Sequence, residues 1–195
     1  MKIKKVKTIY FIMLCLVLTS CATQKSLIQE CDLCGMVVDE NNKPISDFII
    51  SIKNDSFFNQ TTITNNSGFF FFPNIKPGLY VISGEKENYV KFINRCNFTG
   101  NNSLYCCQVI SLDEAIEKVN SYIKINDYQK GVDLLNNISV KNNELTKILV
   151  LSYLTYLNGK LGNKDICIKN IAYLQSLENE NSRKIIKIME KILYE

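Results

Sequence analysis

No histidine occurs among the 195 residues. A Ser-His-Asp triad, a Cys-His dyad and any zinc site built on imidazole are thereby excluded. No phosphate-cradling loop or paired-carboxylate pattern stands out either. No catalytic residue is assigned, no cofactor is expected, and the chain reads as a non-enzyme. Nor does the N-terminal apolar run, Thr8 to Leu18, reach the roughly 20 residues that a good spanning helix needs.

An excess of basic charge is also missing, despite a formal net charge of +4. Residues 1–20 hold Lys2, Lys4, Lys5 and Lys7 and no acid, so the remainder carries 23 − 4 = 19 basic against 19 acidic residues. That balance offers no basic footprint, and no nucleic-acid partner is expected. Six Asn-x-Ser/Thr triplets begin at Asn54, Asn59, Asn65, Asn97, Asn101 and Asn137, a number that chance alone supplies in so Asn-rich a chain.

What is present starts with a basic segment, Met1 to Lys7, then the apolar run, then Leu18-Thr19-Ser20-Cys21. The order and spacing resemble the signal sequence and lipobox of bacterial lipoproteins. The resemblance implies cleavage before Cys21 and diacylation of its sulfur, with a lipid bilayer as the first partner. Ala22 follows where an Asp would, in the enterobacterial sorting pattern, hold a lipoprotein at the inner membrane. Lipid anchoring to the cell membrane is therefore expected, at the outer membrane if the source has two. Residues 21–30 read as a tether, and nine extended residues after Cys21 reach roughly 30 Å.

From Gly35 to about Leu112 apolar residues recur mostly every second position and turns every eight to twelve residues, which suggests a sandwich. Short strands are expected at Gly35–Asp39, Phe48–Ile52, Gln60–Thr64, the phenylalanine run and Leu79–Ile82, with two more flanking Thr99–Ser103. Gly35-x-Val37-x-Asp39, Lys43-Pro44-Ile45, Thr62-x-Thr64, Gly68-x-Phe70-x-Phe72, Asn74-Ile75-x-Pro77-Gly78-x-Tyr80 and Tyr89 together resemble a carboxypeptidase regulatory-like domain. That family is a transthyretin-like sandwich of about seven strands, and its name implies no peptidase activity here. Asp47 and Asn88 depart from its pattern, standing where a small residue and a glycine are usual.

The stretch Ser67 to Tyr80 reads SGFFFFPNIKPGLY. Successive strand side chains point to opposite faces. By the family pattern Phe70 and Phe72 face the core, and Phe69 and Phe71 face outward. The outward pair is either covered by the C-terminal helices or forms an exposed strip that binds a partner or stacks on a sugar.

From Ser111 the period becomes helical. Helices are expected from Leu112, from Tyr128 to Leu135, Glu144 to Leu157, Lys164 to Leu177 and Ser182 to Tyr194. Tyr122, Asp127-Tyr128, Gly131 and Leu135 are similar to one tetratricopeptide repeat, and the Leu149 to Leu174 helix pair to a degenerate second one. The expected fold class is α+β: a seven-stranded Greek-key β-sandwich (31–111) followed by an α-helical hairpin array of about five helices (112–195).

Cys31, Cys34, Cys96, Cys106, Cys107 and Cys167 follow the lipidation site. A β-hairpin centred near residue 101 would set Cys96 opposite Cys106 as a cross-strand disulfide. Cys107 would point to the other face, toward Cys34 or Cys31. A zinc site from Cys31, Cys34, Cys106 and Cys107 is chemically conceivable but not assigned. Cys31-Asp-Leu-Cys34 has the spacing of redox motifs without the βαβ unit that accompanies them. Cys167 reads as a small buried residue. The function expected is a membrane-anchored, non-catalytic scaffold or protein-interaction lipoprotein of the cell envelope, or alternatively a carbohydrate or cell-wall binder.

Overall fold

The structure, a computed structural model, describes residues 31–56, 58–100, 104–177 and 180–194. Cys21, its leader and the tether lie outside the described residues. Alternation of apolar side chains builds seven strands: β1 (Cys31–Val38), β2 (Ile49–Lys53), β3 (Asn59–Ile63), β4 (Phe69–Ile75), β5 (Gly78–Glu85), β6 (Phe92–Phe98) and β7 (Leu104–Gln108). They form two sheets, ordered β4-β1-β7 and β3-β2-β5-β6. Phe48, Ile50, Ile52 and Ile82 from one sheet meet Leu33, Val37, Phe70 and Phe72 from the other in a closed core. Each such fully buried side chain stabilises the fold by roughly 1.5–3 kcal/mol.

Close contact in that core depends on Gly35. A Cβ there would strike the Phe70 ring and approach the Tyr105 carbonyl to 2.5 Å. The missing side chain lets the Phe70 ring lie across β1. Asn65 shapes the turn before the phenylalanines: its Oδ1 accepts from the backbone N–H of Ser67 and of Phe69 at 2.9 and 3.0 Å. Asp47 and Asn88 have φ of 53° and 66°. Asp and Asn tolerate that left-handed region better than other non-glycine residues.

Two expectations are corrected. The first strand starts at Cys31 rather than Gly35, because Leu33 faces the core and Cys31 already pairs with Ile75 of β4. The Cys31-x-x-Cys34 spacing therefore lies within a strand and opens no helix. More consequentially, β6 and β7 form no hairpin. β6 runs antiparallel to β5, whereas β7 crosses to the other sheet and runs parallel to β1.

Five helices follow: α1 (Leu112–Lys124), α2 (Tyr128–Asn136), α3 (Glu144–Lys160), α4 (Lys164–Ser176) and α5 (Glu180–Tyr194). Ser111, Asp127 and Asn143 cap the first three, each side chain accepting a backbone N–H of the first turn. Each helix packs on the next, and α3 also on α5. Gly131 keeps α2 close to α3, since a Cβ there would meet Leu157 Cδ1 at 3.0 Å. No helix among the described residues is long and apolar enough to cross a membrane.

Strands and helices meet at a hydrogen-bonded seam. The connection after β5 runs between the start of α1 and the segment after α2. Val90 N–H donates to Ile110 O at 2.9 Å and Leu112 N–H to Asn88 O at 2.8 Å. On the other side Asn88 N–H donates to Ser139 O and Ser139 N–H to Tyr89 O, both at 2.9 Å. Carboxylates reinforce it. Glu87 Oε1 accepts from the N–H groups of Asn142 and Asn143 at 2.9 and 2.7 Å. Lys141 Nζ donates to Glu85 Oε1 at 2.5 Å, and Ser111 Oγ to Glu40 Oε1 at 2.8 Å.

Candidate functional site

Pairing register defines the outer face of the β4-β1-β7 sheet. Phe71 lies beside Cys34 and Cys34 beside Leu104; Phe69 lies beside Met36 and Met36 beside Cys106. All six alternate with inward residues of their strands, so they share the outward side. Phe69, Phe71 and Leu104 are 43%, 48% and 50% exposed, so no helix covers the two rings. Cys106 is exposed, and Cys34 and Met36 are half-buried. The result is two rows of three side chains without a charge, amide or hydroxyl.

Polar groups at the border are engaged. Asp32 Oδ1 accepts from Asn74 N–H at 3.2 Å. Gln108 Nε2 donates to the carbonyls of Asp39 and Glu40 at 3.3 and 3.4 Å. The outer face of the second sheet is different in kind. There Ser51, Thr61, Lys53 and Arg95 interleave with the exposed apolar residues Ile49, Ile63, Leu79 and Ile93, so the face mixes charge and hydroxyl with scattered apolar side chains. Phe69 and Phe71 were legible in the sequence. Met36 and Leu104 were not, because the antiparallel pairing of β1 with β4 sets Met36 beside Phe69 and the parallel pairing of β1 with β7 sets Leu104 beside Cys34.

The sandwich cysteines divide between the core, where Cys96 and Cys107 belong to one cluster, and the outer face of the first sheet, where Cys34 and Cys106 lie. Cys96 and Cys106 sit in different sheets and on no common ladder, which removes the geometric basis for their cross-strand bridge. Cys107 lies opposite Val37 and faces inward, away from Cys34 on the outer side. Cys34, Cys96, Cys106, Cys107 and Cys167 are free thiols in this structure. With Cys34 and Cys106 outward and Cys107 inward the four zinc-ligand candidates do not converge, and the described residues hold no group of three or more His, Cys, Asp or Glu placed to bind a metal ion. Burial pushes the Cys107 thiol up to about 12, with Cys106 and Cys96 adding to the effect. Burial likewise raises the Cys96 thiol and the hydroxyls of Tyr80, Tyr89 and Tyr105. Cys167 is buried in α4, where its Sγ lies 3.3 Å from Thr155 O.

A second apolar surface lies among the helices. Ile123 of α1, Tyr153 and Tyr156 of α3, and Ile185, Ile188 and Met189 of α5 line an open groove of about 560 Å³. Ser152 is the remaining lining residue, and its hydroxyl donates to Ile148 O at 2.6 Å. No charged side chain lines the groove, and Ile188 is 63% exposed. Its chemistry suits apolar side chains rather than an ionic ligand.

No family model and no curated protein matches this chain. Solved structures share partial likeness. The Bacillus anthracis TIE protein matches at 17% identity and a TM-score of 0.39, over 43% of this chain and 17% of that one. The streptococcal ancillary pilin matches at 12% identity and a TM-score of 0.37, over 43% of this chain and 30% of that one. The 3-chlorocatechol 1,2-dioxygenase of Rhodococcus opacus matches at 11% identity and a TM-score of 0.35, over 45% of this chain and 62% of that one. The chain thus spans less than two thirds of each, and likeness at this level carries no argument about function.

Proposed function

We propose that this chain is an exported, membrane-anchored lipoprotein without a catalytic role. Its β-sandwich serves as a rigid base, and its helices offer a groove to a protein partner of the cell envelope. The lipobox Leu18-Thr19-Ser20-Cys21, in its place after a basic and an apolar segment, supports anchoring through acyl chains on Cys21. Each acyl methylene contributes about 0.8 kcal/mol of membrane affinity. The same reading keeps 31–111 as a carboxypeptidase regulatory-like, Greek-key module and 112–195 as tetratricopeptide-like hairpins. It also keeps the outer membrane as location where two membranes exist.

The observation that carries the interaction role is the open groove between α1, α3 and α5. An uncharged, apolar groove between helices takes the apolar face of an amphipathic partner helix. Mild crosslinking in the native cell, followed by purification, tests this. The wild type is expected to retain a partner that Ile188→Lys loses at least tenfold. Equal recovery of that partner with the variant would remove the groove from the account.

A carbohydrate role through Phe69 and Phe71 is the second reading, favoured by two rings sharing one exposed face. The rows around them hold only apolar groups and thiols, so a stacked sugar would find few partners for its hydroxyls. Cell-wall oligosaccharides that bind the wild type and not Phe71→Ala would favour this reading over the first.

A further inference from the structure

We propose that the outer face of the β4-β1-β7 sheet rests on the lipid bilayer, with Phe69, Phe71, Leu104 and Met36 turned into the interfacial region. This inference rests on the lipoprotein reading above and adds what the sandwich stands upon. Three observations carry it. The face is uniformly apolar across two rows, with Phe69, Phe71 and Leu104 all 43–50% exposed. Three strands and two side-chain layers give it a footprint of roughly 10 Å by 7 Å between backbone positions. Its polar neighbours, Asp32 and Gln108, lie at the border, where Asp32 accepts from Asn74 N–H and Gln108 donates to Asp39 O, and the two rows between them hold no polar side chain.

The chain path supplies the third observation. Cys21 is joined to Cys31 through residues 22–30, and Cys31 is the first residue of β1, the middle strand of this very sheet. Nine residues reach at most roughly 30 Å. The acyl anchor therefore holds the apolar face at a short distance from the leaflet, and a second weak contact becomes intramolecular once the first is made. The outer face of the other sheet, where Lys53 and Arg95 carry charge among Ser51, Ile63, Leu79 and Ile93, then looks toward water. The helical groove stays available to a protein.

Cys106 lies in the face and serves as a native reporter. The full chain is purified from its membrane, and mass spectrometry of its N-terminal peptide reads acylation at Cys21. An unmodified Cys21 refutes the lipoprotein reading itself and, with it, this inference. The acylated protein is then placed in phosphatidylethanolamine–phosphatidylglycerol vesicles and labelled with a membrane-impermeant maleimide. Ile93→Cys, at a position 74% exposed on the opposite sheet, provides the reference thiol. Cys106 is expected to label at least tenfold more slowly than the reference. Phe69→Asp/Phe71→Asp, and independently Leu104→Asp, are expected to bring the two rates together while circular dichroism stays unchanged. Equal rates in the wild type, with acylation verified, overturn the proposal. So does slow labelling that disappears on dilution into excess lipid, which would assign the face to a second copy. So does slowing that needs added cell-wall oligosaccharide, which would assign it to a glycan.

Discussion

Four consecutive phenylalanines in a strand divide two and two, because alternate side chains leave a strand on opposite sides. Phe70 and Phe72 are 3% and 1% exposed, whereas Phe69 and Phe71 lie in the open. The same rule separates the adjacent cysteines: Cys107 enters the core and Cys106 faces out. Their reactivities should differ accordingly. A thiol at about 12 is ionised to roughly one part in ten thousand at pH 8, and the thiolate is the nucleophile. In the folded protein, iodoacetamide at pH 8 is expected to modify Cys106 and spare Cys107, with both reacting in denaturant. Peptide mass spectrometry reads the outcome, and equal modification in the folded state would contradict the placement. Asn88 combines a backbone conformation that Asn tolerates with a side chain that is not satisfied. It adopts φ of 66°, where glycine fits most easily, and its Oδ1 is buried without a hydrogen-bond partner among the described residues.

Strand and helix identities followed closely from periodicity, since apolar spacing dictates which local conformation can bury one face. Partnerships did not. Two strands joined by a short loop usually pair, yet β6 and β7 separate into different sheets, and β7 lies parallel to β1 far away in sequence. No local signal marks such a crossover. The seam between strands and helices was equally hidden, because its carboxylates sit in an ordinary surface sequence, Glu85-Lys-Glu87. Hydrogen bonding from Lys141, helped by Lys91, holds the Glu85 carboxyl below its usual 4.5 against the opposing effect of burial. At Glu40 burial pushes upward, but hydrogen bonds from the backbone and from the Ser111 hydroxyl prevail and lower it. Backbone N–H groups of Asn142 and Asn143 lower Glu87. A carboxyl lowered on folding contributes stability that is complete above its unfolded value and lost as pH falls through the folded one. The melting temperature should therefore decline as pH drops below 4.5. Glu40→Gln/Glu85→Gln should start lower at neutral pH and lose less on acidification. An unchanged pH slope in that variant would separate these carboxylates from the effect.

The seam makes the sandwich and the helices mutually dependent. Backbone bonds join Val90 to Ile110 and Tyr89 to Ser139, and Ser139 is itself 1% exposed. Opening the seam would exchange these bonds for bonds to water, at a net cost of about 0.5–1.5 kcal/mol for each. Calorimetry is accordingly expected to show one cooperative transition for the whole protein, with calorimetric and van't Hoff enthalpies in agreement. Two resolved transitions would mean that strands and helices unfold independently. At this level the molecule presents three different outer surfaces: a sheet face without charge, a sheet face mixing charged, hydroxyl and apolar side chains, and an apolar helical groove.

Local order in this protein is written in its residues. Alternation and turn residues act over a few positions, so the strands and helices and the two-and-two division of Phe69 to Phe72 could be read directly, while which pair faces inward was implied by the resemblance. The company each strand keeps is a long-range matter, decided by which arrangement closes the core around Gly35, Phe70 and Tyr105. That closure sent β7 to the side of β1, parted Cys96 from Cys106, and brought Met36 and Leu104 beside Phe69 and Phe71. A surface shared by three strands exists only once the strands have met, which is why its membership lay beyond any local pattern.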